Sequence, residues 1–312
     1  MARADLEKTA AVILFIEDVL TPVVAVIAPG LMGAAVGKRL VDNGLKVLTS
    51  LEGRSQETVG RARAAGLVPA SDEEIVSVDF ILSILPPAQA LSLAERFVPT
   101  LSSSKRKPVY VECNAINPAT LKEVAAAIAP TECPFVDAGI IGAPPANPPT
   151  PAGDGSARTS GPRFYACGAE APRFAALRDY GLDVRVLGGA LGAASALKIC
   201  HAGIAKGATA IGGAMMLAAM RAGCADDLFN ELQFSQKEIL AWFKYQMPHM
   251  PRRAYRWVAE MHEIASFVDE DCPGAREIFE GAARFYERIA EDFAAHKKDV
   301  SALALFLGQD SS

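Results

Sequence analysis

A chain of 312 residues, 51% apolar and 21% charged, has the makeup of a water-soluble globular protein and the length for two domains or one large core. Its formal net charge of −5 gives no electrostatic reason to expect nucleic acid or an anionic membrane as a partner, and leaves room for a local basic pocket that takes a phosphate or carboxylate. The six cysteines form no C-x-x-C pair, and Ser266 stands where His262-Glu263 would need a second histidine to hold zinc, so reduced thiols and no metal site are expected.

Residues 1–21 carry a short apolar run, AAVILFI, flanked by Asp5, Glu7, Glu17 and Asp18. Acidic flanks suit neither a secretion signal nor a transit peptide, so an N-terminal extension and a cytoplasmic protein are expected. The run VVAVIA (23–28) is continuously apolar, as in a parallel strand buried on both faces. A helical stretch then reaches Asn43, followed by Gly44 and a second strand, LKVLTS. RSQETVGRARAA reads as a helix stopped by Gly66. VDFILSIL (78–85), KPVYVECN (107–114) and CPFVDAGIIG (133–142) read as further strands, and INPATLKEVAAAIA as a helix with proline near its start. RFYACG (163–168) and DVRVLG (183–188) complete a set of seven strands.

This alternation predicts an α/β Rossmann-type doubly wound sheet with right-handed crossovers. The Pro-, Gly- and Ser-rich segment 143–161 interrupts it as a surface loop or lid. Past Gly189 strand candidates cease. A long small-residue segment (191–222) and helical spacing over 226–247, 250–268, 273–292 and 296–307 predict an all-α C-terminal domain. The apolar run Gly207–Met220 is too short to cross a bilayer. The expected organisation is an extension over 1–21, a dinucleotide-binding domain over 22–189 and a helical substrate and dimerisation domain over 190–312.

Three places carry chemistry. The first is the turn Ala28-Pro29-Gly30-Leu31-Met32-Gly33, a G-x-G-x-x-G fingerprint that has lost its first glycine. Gly30 lets the backbone approach a pyrophosphate, Gly33 lets the helix pack on the sheet, and the helix N-terminus offers N–H groups to phosphate. Ala28 is tolerable there with a negative φ. The second is the end of the second strand. Glu52 stands where an acidic residue binds the ribose of NAD, whereas Ser50, Arg54 and Ser55 make a cradle for the 2′-phosphate of NADP. NADP is favoured, with NAD possible. The third is the segment GAASALKICHAG (192–203), where Lys198 lies in an apolar helix with His201 one turn on. A buried ammonium loses proton affinity and then exchanges protons near neutrality; a stem that snorkels to water is the other reading.

These motifs, in this order, resemble the β-hydroxyacid dehydrogenase and 6-phosphogluconate dehydrogenase superfamily. VAVIAPGLMGAAVGKRL resembles its cofactor turn, and ILSILPP, with Leu85 and Pro86, the strand that ends beside the nicotinamide ribose. VECNAINPAT resembles the segment that places an asparagine or serine near the nicotinamide, here Asn114. FVDAGIIGAPP, with Gly142, resembles the substrate-binding strand and turn. GAASALKICHAGI resembles the catalytic helix. The resemblance implies that Lys198 is the general acid/base, that Asn114, Gly142 and His201 bind substrate, and that the protein is a homodimer. The segment MPRRAYRW holds three arginines, Arg252, Arg253 and Arg256, of which one, with Arg252 and Arg253 as the chosen candidates, would clamp a carboxylate or phosphate; a basic helix start on a solvated face is the other reading.

The departures are Ala202 in place of the asparagine after the histidine, Ile141 in place of a carboxylate-binding serine, and the missing first glycine. They point to an altered substrate. The implied function is NADP-dependent hydride transfer to or from a short hydroxy acid or sugar-derived acid. A cofactor-binding regulatory protein without turnover is the alternative. A reductase of imines or isolated carbonyls is a variant, and Lys198 argues against the imine reductases, which generally lack it.

Overall fold

The computed structural model describes residues 21–145, 161–269 and 272–308. The expected N-terminal extension and most of the 143–161 loop lie outside them. The chain forms two compact units. One comprises the chain up to Leu85, Gln89–Asn114 and Leu121–Ala194; the other comprises Pro86–Ala88, Ala115–Thr120 and the chain from Ser195.

The first unit is built on an eight-stranded sheet in the order β3-β2-β1-β4-β5-β6-β7-β8. The strands are β1 (Val24–Ile27), β2 (Val47–Thr49), β3 (Val68–Pro69), β4 (Phe80–Ser83), β5 (Val109–Glu112), β6 (Phe135–Ile141), β7 (Arg163–Cys167) and β8 (Asp183–Val186). β1 shows why the run is continuous: all four residues are buried, because helices cover both faces of a central parallel strand. Each such aliphatic side chain contributes about 1.5–3 kcal/mol when removed from water. Strands β1 to β6 pair in parallel, and the chain order reverses between β1 and β4 as in a dinucleotide-binding fold.

Two expectations about the sheet change. β7 pairs antiparallel to β6, so the far edge is not part of an all-parallel winding, although β8 again lies parallel to β7. A parallel neighbour needs a crossover element, usually a helix, and the Pro-rich sequence joining β6 to β7 has no helical pattern to supply one. β3 is an eighth, unpredicted strand. It has two exposed residues, the second a proline, and is too short to carry a period.

The helices of this unit are α1 (Leu31–Asp42), α2 (Gln56–Ala64), α3 (Asp72–Ile75), α4 (Ala90–Ser103), α5 (Pro118–Ile128, continuing from the second unit's short segment) and α6 (Ala171–Phe174). The unpredicted α3 begins with a capping box in which Ser71 and Glu74 each satisfy the other's backbone N–H.

The second unit is helical: α7 (Ala193–Ala222, its first two residues within the first unit), α8 (Ala225–Ser235), α9 (Lys237–Gln246), α10 (Ala254–Val268), α11 (Ala275–Ala294) and α12 (Lys298–Phe306). The expected single helix over 226–247 is broken at Gln236, which leaves helical geometry without a proline or glycine to announce it. The apolar run expected to be too short for a bilayer lies inside the 30-residue α7, which by length and composition alone could span one. Its small residues have a packing role. A Cβ on Gly212 would lie 2.4 Å from the Phe243 ring of α9, and one on Gly213 would lie 2.7 Å from Phe285 of α11. The glycines seat aromatic rings in a helical core.

Candidate active site

The turn after β1 corrects the sequence reading at its first residue. Ala28 has φ +56°, in the left-handed region that a residue with a Cβ adopts at a cost of about 1–2 kcal/mol. Glycine would be at ease there, so the missing first glycine has left its backbone conformation behind. The Gly30 N–H donates to the Ala28 carbonyl at 2.6 Å, closing a three-residue turn around Pro29. Gly30 is therefore not a free donor. The groups without an intrahelical acceptor are the N–H groups of Leu31, Met32 and Gly33, ahead of the first α1 bond from Ala34 to the Gly30 carbonyl.

No side chain caps α1, and no acidic residue lies in its first turn. The two surviving glycines have separate reasons. A Cβ on Gly33 would press on the Ala28 carbonyl at 3.3 Å and on Val26 at 3.4 Å, so this glycine allows the helix to approach the sheet. A Cβ on Gly30 would meet only the Ala28 carbonyl, at 3.9 Å, and its φ is −65°. Neither conformation nor protein packing requires glycine at position 30, which leaves room for a ligand. An uncapped, acid-free helix start beside that space fits a pyrophosphate.

Restoring the first glycine gives a measurable result. Ala28→Gly relieves the left-handed strain and loses about 0.4–1 kcal/mol to unfolded-chain entropy. A net stabilisation of up to about 1 kcal/mol is expected in urea unfolding, and a destabilised variant would show that the positive φ carries no strain.

At the end of β2 the expected cradle is partly dismantled. Ser50 is buried, and its hydroxyl accepts a bond from Arg96 at 3.0 Å. Arg96 in turn grips Asp72 through two bonds of 2.8 and 2.9 Å. Ser55 caps α2, accepting from the Thr58 N–H and donating to its hydroxyl. Both serines are thus occupied within the fold. Glu52 is exposed and lies 3.8 Å from Arg96. Arg54 remains: its backbone closes the turn from Leu51, and its half-buried side chain has no hydrogen-bond or ion-pair partner among the described residues. The sequence reading missed Arg61, whose guanidinium reaches the Pro29 carbonyl at 3.4 Å from α2.

Asn114 is buried and works as a clamp. Its Oδ1 accepts the Leu85 N–H at 2.6 Å and its Nδ2 donates to Ser83 at 2.9 Å, fixing the ends of β4 and β5 to one another. Leu85 is half-buried there, and Pro86 is exposed. Gly142 has φ +126°, and a Cβ would lie 3.0 Å from the Pro162 backbone, so the turn itself demands glycine. Beneath these ends runs a polar row: Ser83, Glu112, Asp137 and Cys167 are register partners on successive strands. Asp137 accepts the Gly192 N–H at 3.1 Å and the Cys167 thiol at 3.3 Å. Glu112 accepts the Asn114 N–H at 2.9 Å through one oxygen, while the other has no partner among the described residues. Burial, with Asp137 adding to it, pushes the Glu112 carboxyl up to about 7.

In the second unit Lys198 is half-buried on α7 and makes no hydrogen bond or ion pair with any described residue. Desolvation first, then the charges of Lys206 and Arg256, lower its pKa to about 8 against the opposing pull of Glu260. Lys206 forms a direct ion pair with the buried Glu260 of α10, sits 5.4 Å from the centre of the Trp257 ring, and its backbone carbonyl accepts the Tyr286 hydroxyl.

His201, one helical turn on from Lys198 in α7, lines a cavity of about 450 Å³ with Ile204, Ile239, Trp242 and Phe243, and Lys198 is not among the residues that line it. Arg252 and Arg253 are exposed in the turn before α10. The charges that act on Lys198 are those of Lys206, Glu260 and Arg256, and of these Lys206 and Glu260 form a direct ion pair. Residues 256 and 260 are one helical turn apart, a spacing visible in the sequence, but nothing in the sequence pairs that turn with α7.

The comparisons agree with this geometry. Residues 23–148 match the NAD binding domain of 6-phosphogluconate dehydrogenase. That match covers the dinucleotide-binding region from β1 to beyond β6. Residues 219–289 match a domain of unknown function, DUF1932, within the helical unit. An uncharacterised 28.5 kDa protein of Methanothermus fervidus is 25% identical over 72% of this chain and 82% of its own. Conserved protein MTH1747, of unknown function, is 27% identical and superposes with a TM-score of 0.63 over 90% of this chain and 99% of its own; its structure is described as similar to 3-hydroxyacid dehydrogenases. The 3-hydroxyisobutyrate dehydrogenase of Mycobacterium tuberculosis shares the fold at 17% identity, with a TM-score of 0.65 over 92% of this chain and 99% of its own.

Proposed function

We propose that this protein is an NADP-dependent dehydrogenase or reductase of a short hydroxy acid or sugar-derived acid, with Lys198 as its general acid/base. The carrying observation is Lys198 itself, an ammonium without a hydrogen-bond or ion-pair partner among the described residues, whose pKa is lowered to about 8. Such a group populates both protonation states near neutrality, which is what proton exchange with a substrate hydroxyl needs. The nicotinamide, when bound, supplies or accepts the hydride.

Within the chain, the N–H groups of Leu31, Met32 and Gly33 would hold the pyrophosphate, and the space at Gly30 would admit it. Arg54 would hold the 2′-phosphate as a guanidinium with no competing partner among the described residues. Asn114 acts as a positioning residue, through the strand ends it ties together. Lys198 in its neutral form accepts the hydroxyl proton during oxidation and, once charged, returns it during reduction.

A fluorescence titration with NADPH and NADH tests the cofactor half of this reading. Wild type is expected to bind NADPH more tightly. Arg54→Ala should weaken NADPH about tenfold or more and leave NADH unchanged, as loss of a charged hydrogen bond does. Gly30→Ala should weaken both without lowering the melting temperature. Equal affinity of Arg54→Ala and wild type for NADPH would remove Arg54 from the site.

A further inference from the structure

Glu112 is a buried acid that the proposed proton transfer does not use. It ends β5, and its carboxyl turns toward the carboxyl edge of the sheet, where one oxygen accepts the N–H of Asn114 at 2.9 Å. The Asn114 side chain in turn holds the Leu85 N–H at 2.6 Å and the Ser83 hydroxyl at 2.9 Å. Glu112 therefore stands directly behind the residue that joins the ends of β4 and β5. Its second oxygen is buried with no partner among the described residues. Half of the carboxyl is thus neither solvated nor bonded, which favours the protonated form. Ser83, its register partner on β4, is uncharged, and Asp137, its register partner on β6, opposes a second negative charge. Burial raises Tyr110 and Cys113 on β5 and Cys167 on β7, so these stay neutral where Glu112 titrates, near 7.

The strand order β3-β2-β1-β4-β5-β6 divides a dinucleotide between two halves of the sheet. The adenosine ribose belongs with the end of β2, on one side of the reversal, so the nicotinamide half falls over the ends of β4 and β5 on the other. The oxidised nicotinamide ring carries a positive charge and the reduced ring carries none. Glu112 makes no ion pair with any described residue that would compete for that charge.

We infer that Glu112 is a positioning residue that responds to the charge of the cofactor: it gives up its proton to solvent when the oxidised form binds and keeps it when the reduced form binds. The inference rests on the reading of the chain as nicotinamide-dependent. The carboxylate so formed attracts the ring and, as a charged acceptor, tightens the Asn114 N–H bond behind the clamp between β4 and β5. Its sign follows from linkage. Below about 7 the free protein must release a proton to take oxidised NADP, so that affinity rises with pH and levels off above this value. NADPH affinity lacks this component. The 2′-phosphate titrates in both forms and cancels in the comparison.

Binding titrations of oxidised NADP and of NADPH from about pH 5.5 to 8.5, with proton release read by an indicator in weakly buffered solution, test this without turnover. In wild type the oxidised form is expected to bind up to about tenfold more tightly per pH unit below about 7, and to release about one proton more than NADPH does. Glu112→Gln keeps an acceptor for the Asn114 N–H and has no proton to give. Its two forms should release protons equally, and its affinity for oxidised NADP at about pH 8 should fall about tenfold while that for NADPH is unchanged. Lys198→Met, which removes the other group that titrates near neutrality, should keep the wild-type difference.

Equal proton release with both forms in wild type, a difference that survives in Glu112→Gln, or one that disappears in Lys198→Met would overturn the inference. So would a Glu112→Gln variant that loses affinity for both forms alike, since that would make Glu112 a structural support only. A wild type that binds neither form would instead refute the nicotinamide reading itself, and the inference with it.

Discussion

Replacing Lys198 with methionine is expected to lower hydride transfer about 10²–10⁴-fold, the usual contribution of a positioned acid/base, while NADPH affinity stays unchanged. Methionine keeps an unbranched apolar stem of similar length in the helix, so the loss reports the ammonium and not the packing. The pH dependence has a fixed sign. Oxidation needs the neutral amine, so its kcat/KM should rise as pH passes about 8; reduction needs the ammonium and should fall across the same interval. Both inflections should be absent from the residual activity of the methionine variant. A methionine variant that keeps the inflection near 8 would assign it to another group.

The second large effect concerns stability. Glu112 titrates at about 7 in the folded chain against an ordinary value of 4.5. Between those pH values the folded protein keeps a proton that the unfolded chain has released. Stability therefore falls as pH rises through this window, by up to about 1.4 kcal/mol per unit, or roughly 3 kcal/mol across it. Glu112→Gln carries no titrating group and can still accept the Asn114 N–H, so it should unfold at higher urea than wild type at about pH 8. At about pH 4 the two should converge. The measurement is the wild-type-minus-variant difference in unfolding free energy against pH; a flat difference would show that the carboxyl is not held protonated.

The sequence revealed most of the sheet because parallel strands buried on both faces read as unbroken apolar runs, as VAVI and FILS do. Strand direction was less accessible. The antiparallel β7 has the same kind of apolar pattern as a parallel strand, and only the absence of a crossover helix before it carries the difference. At the turn, the residue types were informative and the torsions were not. Alanine rarely adopts positive φ, so the natural expectation for Ala28 was wrong, and the signal was its place at the first glycine of the fingerprint.

The site divides the same way. Lys198 stood out because an ammonium in a small-residue apolar helix is expensive unless something uses it. Ser50 and Ser55 had suitable chemistry and spacing, but Arg96 and a helix cap claim their hydroxyls. Arg256 was visible as one of three arginines in MPRRAYRW, but Glu260 was not, because helical periodicity tells which residues share a face and not which distant helix that face meets. His201 illustrates the same point. Its spacing from Lys198 was legible, but the cavity that it lines with α9 was not, because that cavity is made by a distant helix.

The central claim is hydride transfer assisted by Lys198, and the direct measurement is absorbance of reduced nicotinamide. Oxidised NADP is mixed with wild-type protein and a panel of short hydroxy acids and sugar-derived acids, with Lys198→Met measured in parallel and NADPH binding confirmed for both. The account predicts cofactor reduction by at least one acid in wild type and its loss in the methionine variant with binding intact. Tight NADPH binding by a wild type that reduces no cofactor with any hydroxy acid and oxidises none with the corresponding keto acids would contradict it.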